Sequence, residues 1–143
     1  MSQALLAGIS RTTEPRTMLR RFLALDAAVT GANGLAYAAA SGPIGRFLGV
    51  DDVLLLGVGI FLAVFGAAVG LLAARPHPPV PLVKAVVDIN IVWPPLSLAA
   101  LALWLEPTLA GAVWTVLQAV TVAGFAALQW SALKATAGAT ARA

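Results

Sequence analysis

The stretch DAAVTGANGLAY, residues 26–37, decides the fold, because it interrupts an apolar run from Leu19 to Ala40 with Asp26, Thr30, Asn33 and Tyr37. Those four positions follow the spacing i, i+4, i+7, i+11. On an α-helix they fall within about 40° of one another, so their polar atoms form one narrow stripe. A charged Asp near the centre of a membrane helix costs about 2.5–3.5 kcal/mol on insertion scales. The stripe is therefore expected to face other helices or water, with lipid on the opposite side. Gly31 and Gly34 lie beside it and allow a neighbouring helix to come close.

Working outward, composition fixes the solvent. Of the 143 residues, 60% are hydrophobic and 10% charged, and mean hydropathy is +0.91, whereas a soluble domain is roughly 45–50% apolar and 25% charged. A soluble core cannot absorb that excess; helices of about 20 apolar residues crossing a bilayer can. Four such stretches are present, at about 19–40, 53–74, 82–105 and 108–133. The expectation is an all-α four-transmembrane-helix bundle, with short tails at 1–18 and 134–143 and no soluble domain between them. The breaks have local causes: Gly42-Pro43 and Gly45 with Asp51-Asp52, then the segment Arg75 to Pro81 with Pro76, Pro78 and Pro79, then Glu106-Pro107.

Charge predicts orientation. With the N-terminus inside, Arg11, Arg16, Arg20, Arg21, Arg75, Lys84, Lys134 and Arg142 all fall on the cytoplasmic side, leaving Arg46 alone outside among the nine Lys and Arg. Positive residues stay inside, so both termini are expected in the cytoplasm and the protein in the cell inner (plasma) membrane. The sequence pI near 10.2 is then a topology signal. Basic residues scattered at helix ends form no groove for nucleic acid.

Arg20-Arg21 followed by an apolar run ending in Ala36-Tyr37-Ala38 has the layout of a secretory signal. Asp26 and Asn33 break its apolar region, and cleavage would unbalance the remaining three spans, so the segment reads as a retained helix. The double Arg with Phe22-Leu23 also resembles a twin-arginine address, although no soluble passenger follows it.

The chain has no Cys and a single His, His77 in the Pro-rich loop. That removes thiolate chemistry and haem or metal sites built from several His. No phosphate loop, dinucleotide fingerprint or Ser-His-Asp set is present. The expectation is a chain without enzymatic activity, catalytic residues, metal or cofactor.

Polar residues recur on two further spans. On the fourth, Trp114, Gln118, Phe125 and Gln129 share a face. The third carries Lys84 and Asp88 on one face and Asn90, Trp93 and Ser97 on another, so it is expected to be the most enclosed helix or to touch a second subunit. At about 1.5 Å per residue, Asp26 rises about 7–8 Å above Arg21, Asp88 about 6 Å above Lys84, and Gln129 about 7–8 Å above Lys134. Equal depth makes Asp26, Asp88 and Gln129, with Lys84 in reach, the first candidate site. It is either a packing device or an ion, proton or ligand site.

Pro94 and Pro95 make the second candidate, with Asn33 and Asn90. Each Pro lacks an N–H, so the carbonyls of Asn90 and Ile91 lose their helical donors. The outcome is a proline kink, or a broken helix of the kind that coordinates cations in transporters. The second span, with Gly59, Ala63, Gly66 and Gly70 along one face, is expected to be scaffold.

The segments RRFLALDAAVTGANGLAYAAA and AVWTVLQAVTVAGFAALQW resemble those of small, Ala- and Leu-rich, uncharacterised four-helix integral membrane proteins of actinobacteria. The resemblance covers the helical region and implies a membrane location; it brings no activity or functional residue with it.

Three function classes follow. One is a non-enzymatic bundle with a polar core, anchoring, assisting or sensing, with the lipid bilayer and a parallel homo-oligomer or another membrane protein as partners. The alternative is a small proton- or cation-coupled transporter in which Asp26 and Asp88 titrate. The size matches small multidrug transporters, but the one-sided charge distribution argues against their antiparallel pairing. A lipid-directed enzyme using the two carboxylates as acid and base lacks a nucleophile, a metal cluster and a head-group motif.

Overall fold

The computed structural model describes residues 14–142; most of the expected N-terminal tail lies outside them. Among the described residues the fold is all helical: α1 Pro15–Ala39, α2 Ser41–Leu48, α3 Asp52–Ala74, α4 Val80–Leu103 and α5 Leu109–Arg142. Three of these, α3, α4 and residues 109–138 of α5, are long and apolar enough to cross a membrane.

Each boundary has a chemical cause. Pro15 opens α1 where a missing N–H costs nothing. The Asp51 carboxylate accepts from the Leu54 N–H at 3.0 Å and caps α3. At its far end the Arg20 guanidinium donates to the Ala73 carbonyl at 3.0 Å, a cation at the negative end of a helix. The Thr108 hydroxyl accepts from the Gly111 N–H at 3.1 Å to start α5 and donates to the Phe47 carbonyl at 2.7 Å.

The long helices are interrupted where the sequence breaks fall, and the structure adds detail there. Within the break after α1, residues 41–48 form the short helix α2, because Pro43 falls in its first turn and Gly49 closes it in the left-handed conformation at φ 72°. Beyond Leu133 the chain stays helical, and α5 runs on to Arg142. The helical conformation also continues through Pro94 and Pro95, so α4 is not a broken helix.

α1 lies against α3 and α5, and α5 against α4, while α3 and α4 stay largely apart. The α1–α3 contact is backbone on backbone. A methyl group added at Gly59 would stand 2.6 Å from the Ala38 nitrogen, and one at Gly66 would stand 2.7 Å from the Gly31 nitrogen. Such proximity puts the two helices in direct dispersion contact along this face.

The packed apolar core sits at one end of the bundle. It consists of Leu19 and Leu23 of α1, Val69, Leu72 and Ala73 of α3, Val83, Val86 and Val87 of α4, and Ala132 and Leu133 of α5. This is the end that carries Arg20, Arg75 and Lys84. The opposite half is hollow.

Candidate functional site

A polar cluster separates the packed half from the hollow one. Asp26, Thr30, Asn90 and Gln129 are all buried, Asp26 and Gln129 completely. The Thr30 hydroxyl donates to Asp26 Oδ1 at 2.8 Å. Asp26 Oδ2 accepts from Asn90 Nδ2 at 2.7 Å and from Gln129 Nε2 at 2.7 Å. Asn90 Nδ2 also lies 3.0 Å from Gln129 Oε1. The carboxylate thus accepts three hydrogen bonds, one each from its own helix, α4 and α5, and no fully enclosed side-chain N or O atom among the described residues lacks a partner. A closed network of this kind specifies one packing of the three helices. It is also what joins α1 to α4, whose backbones do not approach each other.

Of the expected constellation, Asp26 and Gln129 come together and Asp88 and Lys84 do not join them. Both lie exposed on the perimeter of α4. The cause is the rotation of α4: Val83, Val87, Asn90 and Pro94 are buried at i, i+4, i+7, i+11, and this face carries Asn90 inward while Asp88, about 160° away from it, points out. Asp26 and Asp88 are therefore not a facing pair.

Beyond the cluster opens a partly open cavity of about 350 Å³ lined by α1, α3, α4 and α5, with Leu48 and Trp104 at its outer end and Thr30 and Asn90 at its floor. Rings and amides shape its walls. Phe61 of α3 stacks on Trp93 of α4 with centroids 6.1 Å apart and planes 15° from parallel, bridging the seam where these helices diverge. Phe61 also stacks on Phe65 at 6.0 Å. Trp93 Nε1 donates to Gln118 Oε1 at 2.8 Å, and Trp114 Nε1 donates to the Tyr37 hydroxyl. Trp93 is thus held by α3 and α5 and does not serve the carbonyls freed by Pro94 and Pro95. Asn33, half-buried on the cavity wall, forms no hydrogen bond among the described residues.

Trp93, Gln118, Tyr37 and Trp114 stand on the polar faces that the sequence shows, but their roles in tying helices together are not part of the site the sequence predicts. Their pairing crosses between helices, which single-helix periodicity does not report. No group of three or more His, Asp or Glu among the described residues is placed to hold a metal ion. No family model, curated protein or solved structure matches the chain.

Proposed function

We propose that the chain is a non-enzymatic integral membrane protein of the plasma (inner) membrane, with four spans and cytoplasmic termini, whose polar cluster is a packing clasp and whose hollow half receives molecules from the bilayer. The observation that carries this reading is that both Asp26 oxygens are taken by donors of the chain itself at a fully buried position. A carrier needs its titrating group to meet a path; this carboxylate meets none, and no charged side chain lines the cavity.

The fourth span is α1. Its hydropathy is lowered chiefly by Asp26, which is buried, and Asn33, which is half-buried, while Leu25, Val29 and Leu35 form its exposed side. Such a helix suits lipid on one face and protein on the other. The basic residues at the core-packed end support placing that end in the cytoplasm.

Two measurements test the reading. Because the chain has no Cys, single-cysteine labelling is clean: Glu106→Cys should react with an impermeant maleimide in intact cells and His77→Cys only after permeabilisation. Vesicles containing the purified protein should take up cations and lipophilic amines no faster than empty vesicles under a pH gradient. Uptake that Asp26→Asn abolishes would establish the carrier instead.

A further inference from the structure

The hollow half poses a chemical question: what fills it. Four observations restrict the answer. The cavity volume, about 350 Å³, falls within the range of sites that enclose a small organic molecule, roughly 300–1,000 Å³. Its lining includes Phe61, Phe65, Trp93 and Phe125 and no acidic or basic side chain. Phe61 and Trp93 border it at the seam where α3 and α4 diverge, and on the four-span reading that seam faces lipid. Asn33 brings to its wall an amide that is only half-buried and has no partner among the described residues.

We propose that this cavity is a binding site for an uncharged, membrane-dissolved molecule with a flat ring that bears a carbonyl or hydroxyl group, which Asn33 recognises. The ring matches the aromatic walls, since offset stacking and edge contacts favour planar π-systems beyond the area they bury. The carbonyl or hydroxyl matches Asn33, whose amide offers two donors and one acceptor oxygen. The absence of a countercharge excludes ions, because an unpaired charge in an apolar site loses several kcal/mol of hydration. The aromatic seam makes Phe61 and Trp93 the side chains that the entering molecule passes. Asp26 takes no part in recognition; it holds the floor closed beneath Thr30 and Asn90.

This inference rests on the membrane reading above, and the experiment separates the two. Purified full-length protein in detergent is titrated, by equilibrium dialysis, with 2-methyl-1,4-naphthoquinone, with 2-methylnaphthalene, which has the ring without carbonyls, and with tetraphenylphosphonium, an apolar cation. One quinone is expected to bind per chain, about tenfold more tightly than the hydrocarbon, the worth of one hydrogen bond, with no saturable binding of the cation. Asn33→Leu is expected to weaken quinone binding to the level of the hydrocarbon and to leave the hydrocarbon unchanged. Ser97→Phe, which fills the cavity from α4, is expected to abolish both. Asn33→Ser, smaller and still polar, replaces Asn33→Leu if the latter does not fold, and should retain part of the preference. Equal binding of quinone and hydrocarbon, insensitivity to Asn33, saturable binding of the cation, or a co-purified acyl chain that the quinone does not displace each overturns the proposal. If cysteine labelling gives the expected topology while binding fails, only the ligand assignment falls; if the labelling itself is reversed, the membrane reading falls.

Discussion

Asn90 Nδ2 donates to Asp26 Oδ2 at 2.7 Å across 64 residues of sequence, and Asp26 keeps no exposed surface. The pair ties together two helices whose backbones do not meet. Its geometry dictates how substitutions at the clasp behave.

Asp26→Asn keeps an acceptor for Asn90 and Gln129 and turns its new NH₂ toward the Thr30 hydroxyl, which accepts as readily as it donates. Unfolding in mixed detergent micelles should show a change within about 1 kcal/mol. Asp26→Leu strands the Gln129 Nε2 and Thr30 hydroxyl donors and leaves Asn90 only its contact with Gln129 Oε1, and the same titration should show a loss of roughly 1–3 kcal/mol for the unpaired groups.

The glycine contact gives a sharper contrast, because two neighbouring glycines face different surroundings. Gly66→Ala drives a methyl group into the backbone of α1, where flexible side chains cannot relieve it, and should lower stability by about 1–3 kcal/mol. Gly31→Ala places its methyl group in open space and should be neutral or stabilising by up to about 1 kcal/mol through helix propensity. Thermal unfolding of the two variants side by side makes the comparison.

Thr108 serves both as the cap of α5 and as the tie to α2, through its hydroxyl. Thr108→Val should cost about 1–2 kcal/mol, and amide exchange of Gly111 should accelerate. Thr108→Ser, which keeps the hydroxyl, should restore protection.

Arg20 places a guanidinium on the last turn of α3. Replacing it by Met retains the apolar stem and removes the charged donor, so stability should fall by roughly 1–2 kcal/mol. Lys at this position should recover only part of that loss, because its Nζ must replace the Nε of a planar fork. Chemical unfolding of Arg20→Met and Arg20→Lys distinguishes these outcomes.

Why Asp26, Gln129 and the glycine stripe were legible in the sequence, and Asn90 and Trp93 in their actual roles were not, has a physical answer. The polar stripe of α1 and the small-residue stripe of α3 stand out within their own helices, and periodicity places each on one face. In α4 polar residues stand on two faces, Lys84 and Asp88 on one and Asn90 and Ser97 on another, so periodicity does not reveal its rotation. Depth along the helix puts Asp88 and Asn90 within about 3 Å of each other, and only the packing of Val83 and Val87 decides which of them enters. Ranking the charged residue first selects Asp88; the cost of burying a second carboxylate beside Asp26 favours the neutral amide. The α2 helix was hidden for a different reason: Gly42-Pro43 marks a turn as readily as it marks a helix start.

Asp26 is satisfied by side chains 64 and 103 positions further along the chain, which has a consequence for biogenesis. On the four-span reading, a ribosome delivers α1 to the bilayer before Asn90 and Gln129 have been synthesised, so the least hydrophobic span arrives without the groups that complete it. α3 follows first, and its contact with α1 at Gly34, Gly59 and Gly66 needs no polar partner. The glycine-backed hairpin of α1 and α3 is thus the early assembly unit that can retain Asp26 at the insertion machinery until α4 and α5 emerge. Variants at Gly59 or Gly66 should then be degraded during membrane integration, at a stage when variants at Gln129 still insert normally.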